Sequence, residues 1–135
     1  MSQLAGKTII ITGSSRGVGA DTAQILAAQG ANIIVNYRSK APRANKVVKA
    51  IEEAGGHATA VQADVTKSED LTNLVNVAIE TYGSLDYLIL NASGGMETGM
   101  GEDYAMRLNR DAQLNLARLA AEKMPNGGRI VFVTS

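Results

Sequence analysis

The chain has 135 residues, a length suited to one domain that buries roughly two thirds of its unfolded surface around a single core. Its 13 Lys and Arg balance 13 Asp and Glu, so no global field recruits nucleic acid or an anionic membrane, and any anion site must be local. The absence of cysteine excludes disulfides, thiolate catalysis and thiolate metal sites, and the lone His57 has no second histidine or cysteine to share a metal. Met1 to Lys7 lacks a charged-then-apolar secretory pattern, and no apolar run approaches the ~18 residues of a membrane span. The expectation is a cytoplasmic protein that is neither membrane-bound nor nucleic-acid-binding.

Residues 7–12, with Ile9, Ile10 and Ile11, read as a buried strand. Residues 17–29 read as a helix with Val18, Thr22, Ile25, Leu26 and Gln29 on one stripe, ended by Gly30. Asn32–Tyr37 is a second short apolar strand. A second helix starts near Pro42, carries Ala44, Val47, Val48 and Ile51 at helical spacing, and stops at Gly55 and Gly56. His57–Gln62 is a weak third strand. Thr66 and Glu69 have capping-box spacing ahead of the cleanest amphipathic stripe, Leu71, Leu74, Val75, Ala78, Ile79 and Tyr82. Residues 86–90 form a fourth strand, residues 102–124 a long helix, and Arg129–Val133 a fifth strand.

Apolar strands separated by single helices imply right-handed crossovers and a parallel sheet covered on both faces. The expected fold is a doubly wound α/β domain, Rossmann-like, spanning residues 1–135 with strand order 3-2-1-4-5. Its ligand crevice lies beyond the carboxyl ends of strands 1 and 4. The residues at those ends suit a binding site: Gly13 to Arg16, Asn36 to Ser39, Asp64, and Asn91 to Ser93.

The stretch Thr12-Gly13-Ser14-Ser15-Arg16-Gly17-Val18-Gly19 turns the first strand into the first helix. A helix start has backbone N–H groups without intrahelical partners and the positive end of the dipole, so it attracts an anion. Gly13 can make the tight turn, Gly17 leaves space for a pyrophosphate, and Gly19 lets the helix pack closely on its strand.

Together these residues resemble the short-chain dehydrogenase/reductase family, in register along the whole chain. The family's T-G-x-x-x-G-x-G is matched by Thr12, Gly13, Gly17 and Gly19. Its adenine-contacting Asp-Val looks like Asp64-Val65, although Asp64 alone could be a capping or turn residue. Its N-N-A-G is matched in part by Leu90-Asn91-Ala92-Ser93, with a leucine and a serine at the outer positions. The family's helix asparagine corresponds to Asn109. The run leading to its active-site serine looks like Met124, Gly127, Gly128, Ile130, Val131 and then Ser135.

The resemblance implies a nicotinamide cofactor and a small carbonyl or alcohol substrate. At the end of the second strand, Asn36-Tyr37-Arg38-Ser39 carries no carboxylate to bind a free ribose 2′-hydroxyl. Arg38 and Ser39 offer donors to a 2′-phosphate, and Arg16 approaches from the other side, which favours NADP over NAD. Tyr37 either stacks near the adenine or caps the strand edge.

The family's Tyr-x-x-x-Lys is not present. Tyr37, Tyr82, Tyr87 and Tyr104 are followed four residues on by Ala41, Asp86, Asn91 and Leu108. Two of the family's four catalytic positions are matched, Asn109 and Ser135. The expectation is therefore the N-terminal portion of a reductase, inactive alone, its last strands lying further on. The alternative is a catalytically silent NADP-binding module; a flavin or nucleoside-phosphate binder fits less well. The long helix carries Leu108, Ala112, Leu116, Leu119 and Ala120 on one stripe and Leu114, Ala117, Ala121 and Met124 on another. The second stripe suits either a homo-oligomer contact or burial by the rest of a longer chain.

Overall fold

The computed structural model describes residues 4–15, 17–64, 67–91, 102–124 and 128–133, the side chains of 102–110, 132 and 133 excepted. Strands and helices alternate as β1 (Thr8–Ile11), α1 (Gly17–Ala28), β2 (Asn32–Tyr37), α2 (Ala41–Glu53), β3 (His57–Gln62), α3 (Ser68–Tyr82), β4 (Tyr87–Asn91), α4 (Glu102–Lys123) and β5 (Arg129–Val133). The five strands form one parallel sheet in the order β3-β2-β1-β4-β5. That is the expected order, and no boundary moves by more than two residues.

Alternation along the strands divides the core between two faces. Ile9 and Ile11 of β1 and Ile33 and Val35 of β2 point to the α1 and α2 side, against Ala23, Ala27, Ala44, Val47 and Ile51. Ile10, Ile34, Leu88 and Leu90 point to the other side, against Leu71, Leu74, Val75 and Ala78 of α3 and Leu116 and Ala120 of α4. The registers Ile10↔Ile34 and Ile10↔Leu88 keep these faces continuous across the sheet.

One local expectation is corrected. The buried face of α1 is not the Val18-Thr22-Ile25-Leu26-Gln29 stripe but Gly19, Ala20, Ala23 and Ala27. Val18 and Ile25 are 63% and 60% exposed. Small residues let the helix lie close over a strand made of isoleucines, so Val18 and Ile25 are turned outward while Leu26 alone of the bulky residues packs at the edge of this core. The expected capping box pairs Glu69 with Thr66, which lies outside the described residues. The residue before α3, Lys67, makes no side-chain capping bond. Asp70 in the first turn reaches back, its Oδ2 accepting the Asp64 N–H at 2.8 Å.

On α4, Ala112, Leu116 and Ala120 are buried as expected, whereas Leu114 of the second stripe is 43% exposed. Leu108 belongs to the stretch whose side chains are not described. Among the described residues, no helix is long and apolar enough to cross a membrane.

Candidate functional site

β1 is flanked by β2 on one side and β4 on the other, so the crossovers leaving its two sides run in opposite directions. The chain parts at the carboxyl ends of β1 and β4, where open α/β sheets form their crevice. Gly13, Tyr37, Asp64 and Asn91 all stand at this edge.

The glycine turn is pinned to both neighbouring strands. On the β2 side, the Gly13 N–H donates to Asn36 Oδ1 at 3.2 Å and the Ser14 N–H to the Asn36 carbonyl at 3.2 Å. Ser14 Oγ donates to the Ile11 carbonyl at 2.7 Å and accepts the Asn36 N–H at 3.0 Å. On the β4 side, the Thr12 N–H donates to the Ile89 carbonyl at 3.0 Å, and Thr12 Oγ1 accepts the Asn91 N–H at 3.0 Å. Asn91 Nδ2 then reaches the Gly13 carbonyl at 3.5 Å. Buried polar groups need partners, and here they are used to hold a loop in one shape.

The glycines differ in what they do. Gly13 and Gly17 have φ values of +63° and +61°, the left-handed region where a side chain costs strain. A Cβ at Gly17 would meet nothing within 4 Å. At Gly19 it would stand 2.5 Å from the Gly13 carbonyl oxygen and 2.8 Å from Asn91 Nδ2. Gly19 therefore lets α1 close onto the turn and Asn91, rather than onto the strand that the sequence pattern suggested.

The other candidates divide by place. The side chains of Ser14 and Asn36 point inward, Asn36 Nδ2 donating to the Ala63 carbonyl at 3.2 Å and to the Val61 carbonyl at 3.5 Å. These two residues shape the site, with no side-chain atom turned to the crevice. Ser15 is half-buried and Val18 exposed. Tyr37 is half-buried at the end of β2, with Arg38 and Ser39 exposed beside it. The Arg38 carbonyl accepts Gln62 Nε2 at 3.1 Å, and the Tyr37 carbonyl accepts the Ala63 N–H at 2.9 Å, so this strand end is tied to β3. Asp64 follows, half-buried, its amide taken by Asp70.

Arg16, Val65, Ala92, Ser93 and Ser135 lie outside the described residues, and Asn109 is described only as part of the α4 backbone. His57 is exposed at the start of β3, at the opposite edge. Among the described residues, no group of His, Cys, Asp and Glu is arranged to hold a metal ion. The sequence reading did not single out Asp70 or Gln62. Asp70, six residues past Asp64 in an acidic first turn, carried a usable signal; Gln62 carried none.

The family profile described as short chain dehydrogenase matches residues 7–135. A probable tetrahydroxynaphthalene reductase from Zymoseptoria tritici is 39% identical over 140 residues, a match that covers 99% of this chain and 52% of the relative. The chain thus spans about half the length of the relatives it matches. Among solved structures, a short chain dehydrogenase from Burkholderia cenocepacia J2315 in complex with NADP superposes with a TM-score of 0.86 at 37% identity, covering 99% of this chain and 57% of that one. A 7α-hydroxysteroid dehydrogenase complexed with NADH and 7-oxo glycochenodeoxycholic acid superposes with a TM-score of 0.85 at 34% identity, covering 98% and 54%. With its sheet order, its braced glycine turn and a profile match over nearly its whole length, the chain belongs to the short chain dehydrogenase family.

Proposed function

We propose that this chain is the coenzyme-holding part of an NADP-dependent oxidoreductase acting on a small carbonyl or secondary alcohol substrate. The observation that carries the reading is the glycine turn. Its two left-handed glycines and the side-chain-free contact at Gly19 suit a close approach to the start of α1, and the Ser14 and Asn36 side chains that brace the turn are buried. A bare helix start with its unpaired amides suits the bridging phosphates of a dinucleotide.

The residues present fit such a group. The Gly13 and Ser14 amides are taken by Asn36, so backbone amides of Ser15 to Gly19 would hold the phosphates, Asp64 and Val65 the adenine, and Asn91, Ala92 and Ser93 the nicotinamide side. The coenzyme, when bound, supplies the hydride. Asn109 and Ser135 would serve substrate orientation and proton movement. Relatives bound to NADP and to NADH both occur, so the choice between them rests on charge. Arg38 and Ser39 are exposed at the end of β2, and the stretch from Asn36 to Lys40 has no carboxylate to repel a 2′-phosphate.

These 135 residues contain no Tyr-x-x-x-Lys. This favours a chain that binds coenzyme without turning over substrate by itself, and it is the observation behind the second reading, a silent NADP-binding module. Titration of the chain with NADPH and NADH, followed by coenzyme fluorescence, tests the proposal. Tighter binding of NADPH is expected. Tighter binding of NADH rejects the coenzyme assignment, and binding of neither rejects the proposal.

A further inference from the structure

The α2 helix leaves the end of β2 and returns to the start of β3, so its first turn stands at the crevice edge beside Arg38 and Ser39. From Arg38 to Ile51 the sequence carries Arg38, Lys40, Arg43, Lys46 and Lys49 and no acidic residue. All five are exposed. Lys49 is matched by Glu53 at 3.9 Å, which leaves Lys40, Arg43 and Lys46 as a row with i, i+3 spacing beyond Arg38.

This row runs against local helix chemistry. The N-terminal end of a helix is the positive end of its dipole and is stabilised by a capping oxygen and by acidic residues. Here the N-cap is Lys40, no side chain caps the helix, and the first turn has no acid. The contrast is within the same molecule. α3 also has a lysine at its N-cap, Lys67, but sets Glu69 and Asp70 in its first turn. Departures from local preference of this kind are expected where function requires them.

We infer that Lys40, Arg43 and Lys46 form an electrostatic guide that speeds capture of the phosphorylated coenzyme, an inference that rests on the nucleotide-binding reading above. At about 1.5 Å of rise per residue, Lys46 lies about 9 Å along the helix from Lys40. That is within the Debye length of about 10 Å at 0.1 M salt, so the three charges act on an approaching anion together with Arg38. A 2′-phosphate adds about −1.5 to −2 charges to the coenzyme, so the guide acts more strongly on NADPH than on NADH. The row is a guide and not a second binding site, because charges of this kind act on the encounter rate.

Stopped-flow association of the 135-residue chain with NADPH and NADH tests this. The K40Q/R43Q/K46Q variant is compared with wild type at about 0.01 M and about 1 M salt, where the Debye length is about 30 Å and about 3 Å. At low salt the variant is expected to bind NADPH about three- to tenfold more slowly, with a smaller effect on NADH, an unchanged dissociation rate and no difference at high salt. Lys40→Ser alone slows NADPH capture while raising the melting temperature, since it supplies the missing cap. Neutralising Lys7, Lys123 and Arg129, at the opposite sheet edge, leaves the rates unchanged. An unchanged association rate in the triple variant, an equal loss for NADH, or a change confined to dissociation overturns the guide while the binding reading stands. A wild-type chain that binds neither coenzyme overturns both.

Discussion

Asn36, near the end of β2, accepts the Gly13 N–H at 3.2 Å with Oδ1 while its Nδ2 donates to the Ala63 carbonyl at 3.2 Å. One buried amide thus aligns the carboxyl ends of β1, β2 and β3. Asn36→Ala leaves the Gly13 amide, at an exposed residue, and the Ala63 carbonyl, at a buried one, without this partner, and a buried unpaired group costs about 1–3 kcal/mol. A loss of that size is expected by urea unfolding, with weaker nucleotide binding in the folded fraction. Asn36→Asp keeps the acceptor but sets a carboxylate against the Ala63 carbonyl, so it should be no milder.

Gly19→Ala puts a Cβ where the Gly13 carbonyl oxygen and Asn91 Nδ2 already stand, at 2.5 Å and 2.8 Å. The Asn91 side chain can swing aside, but the Gly13 carbonyl cannot yield without moving the turn, because Gly13 is held by Asn36. The overpacking is expected to cost about 1–3 kcal/mol. Coenzyme affinity should fall at least about tenfold, equivalent to about 1.4 kcal/mol. Gly17→Ala is the control: its Cβ enters open space, so the variant suffers only the left-handed backbone penalty of about 1–2 kcal/mol. Thermal unfolding and coenzyme titration of both variants separate steric overlap from backbone strain.

How far the sequence could be read depends on the range of the signal. Sheet order and strand positions were legible because Ile9 to Ile11, Ile33 to Val35 and Leu88 to Leu90 are continuous apolar runs, and parallel topology follows from single-helix crossovers. The buried face of α1 differs from the hydrophobic stripe because hydrophobicity weights Val18 and Ile25 above Ala23 and Ala27, while close packing on an isoleucine-rich strand selects for small volume. The glycine turn was visible as a spacing, but its bracing was not. Ser14 and Asn36 look like ligands in a sequence, and only their distance across 22 residues shows that they bond each other. The contact between Gly19 and Asn91 is hidden for the same reason, since Asn91 comes from β4.

At the opposite edge of the sheet, Asp86 Oδ2 accepts the Thr8 N–H at 2.9 Å and the Ser84 hydroxyl at 2.9 Å, joining the starts of β1 and β4. Asp86 is buried, so Asp86→Ala leaves these two donors without their acceptor. A loss of about 2–4 kcal/mol is expected by denaturant unfolding. Asp86→Asn retains a carbonyl acceptor and should cost less. Because this bond lies at the edge away from the glycine turn, coenzyme affinity of the folded fraction should be unchanged in both variants.

Arg38 offers the sharpest test of coenzyme choice, because its contribution to the backbone and that of its guanidinium are separable. Its carbonyl accepts Gln62 Nε2 at 3.1 Å, a bond that survives any substitution of the side chain and keeps the β2 end in place. Arg38→Ala should therefore weaken NADPH binding about tenfold, or about 1.4 kcal/mol, and leave NADH binding nearly unchanged. Arg38→Asp goes further, supplying the carboxylate that accepts the free ribose hydroxyl and repels the 2′-phosphate, so it should reverse the preference. Fluorescence titration of both coenzymes against wild type and the two variants checks this. Equal losses for NADPH and NADH would mean that Arg38 acts on something common to the two, such as the adenine or the bridging phosphates, and would remove the charge argument on which the assignment to NADP depends.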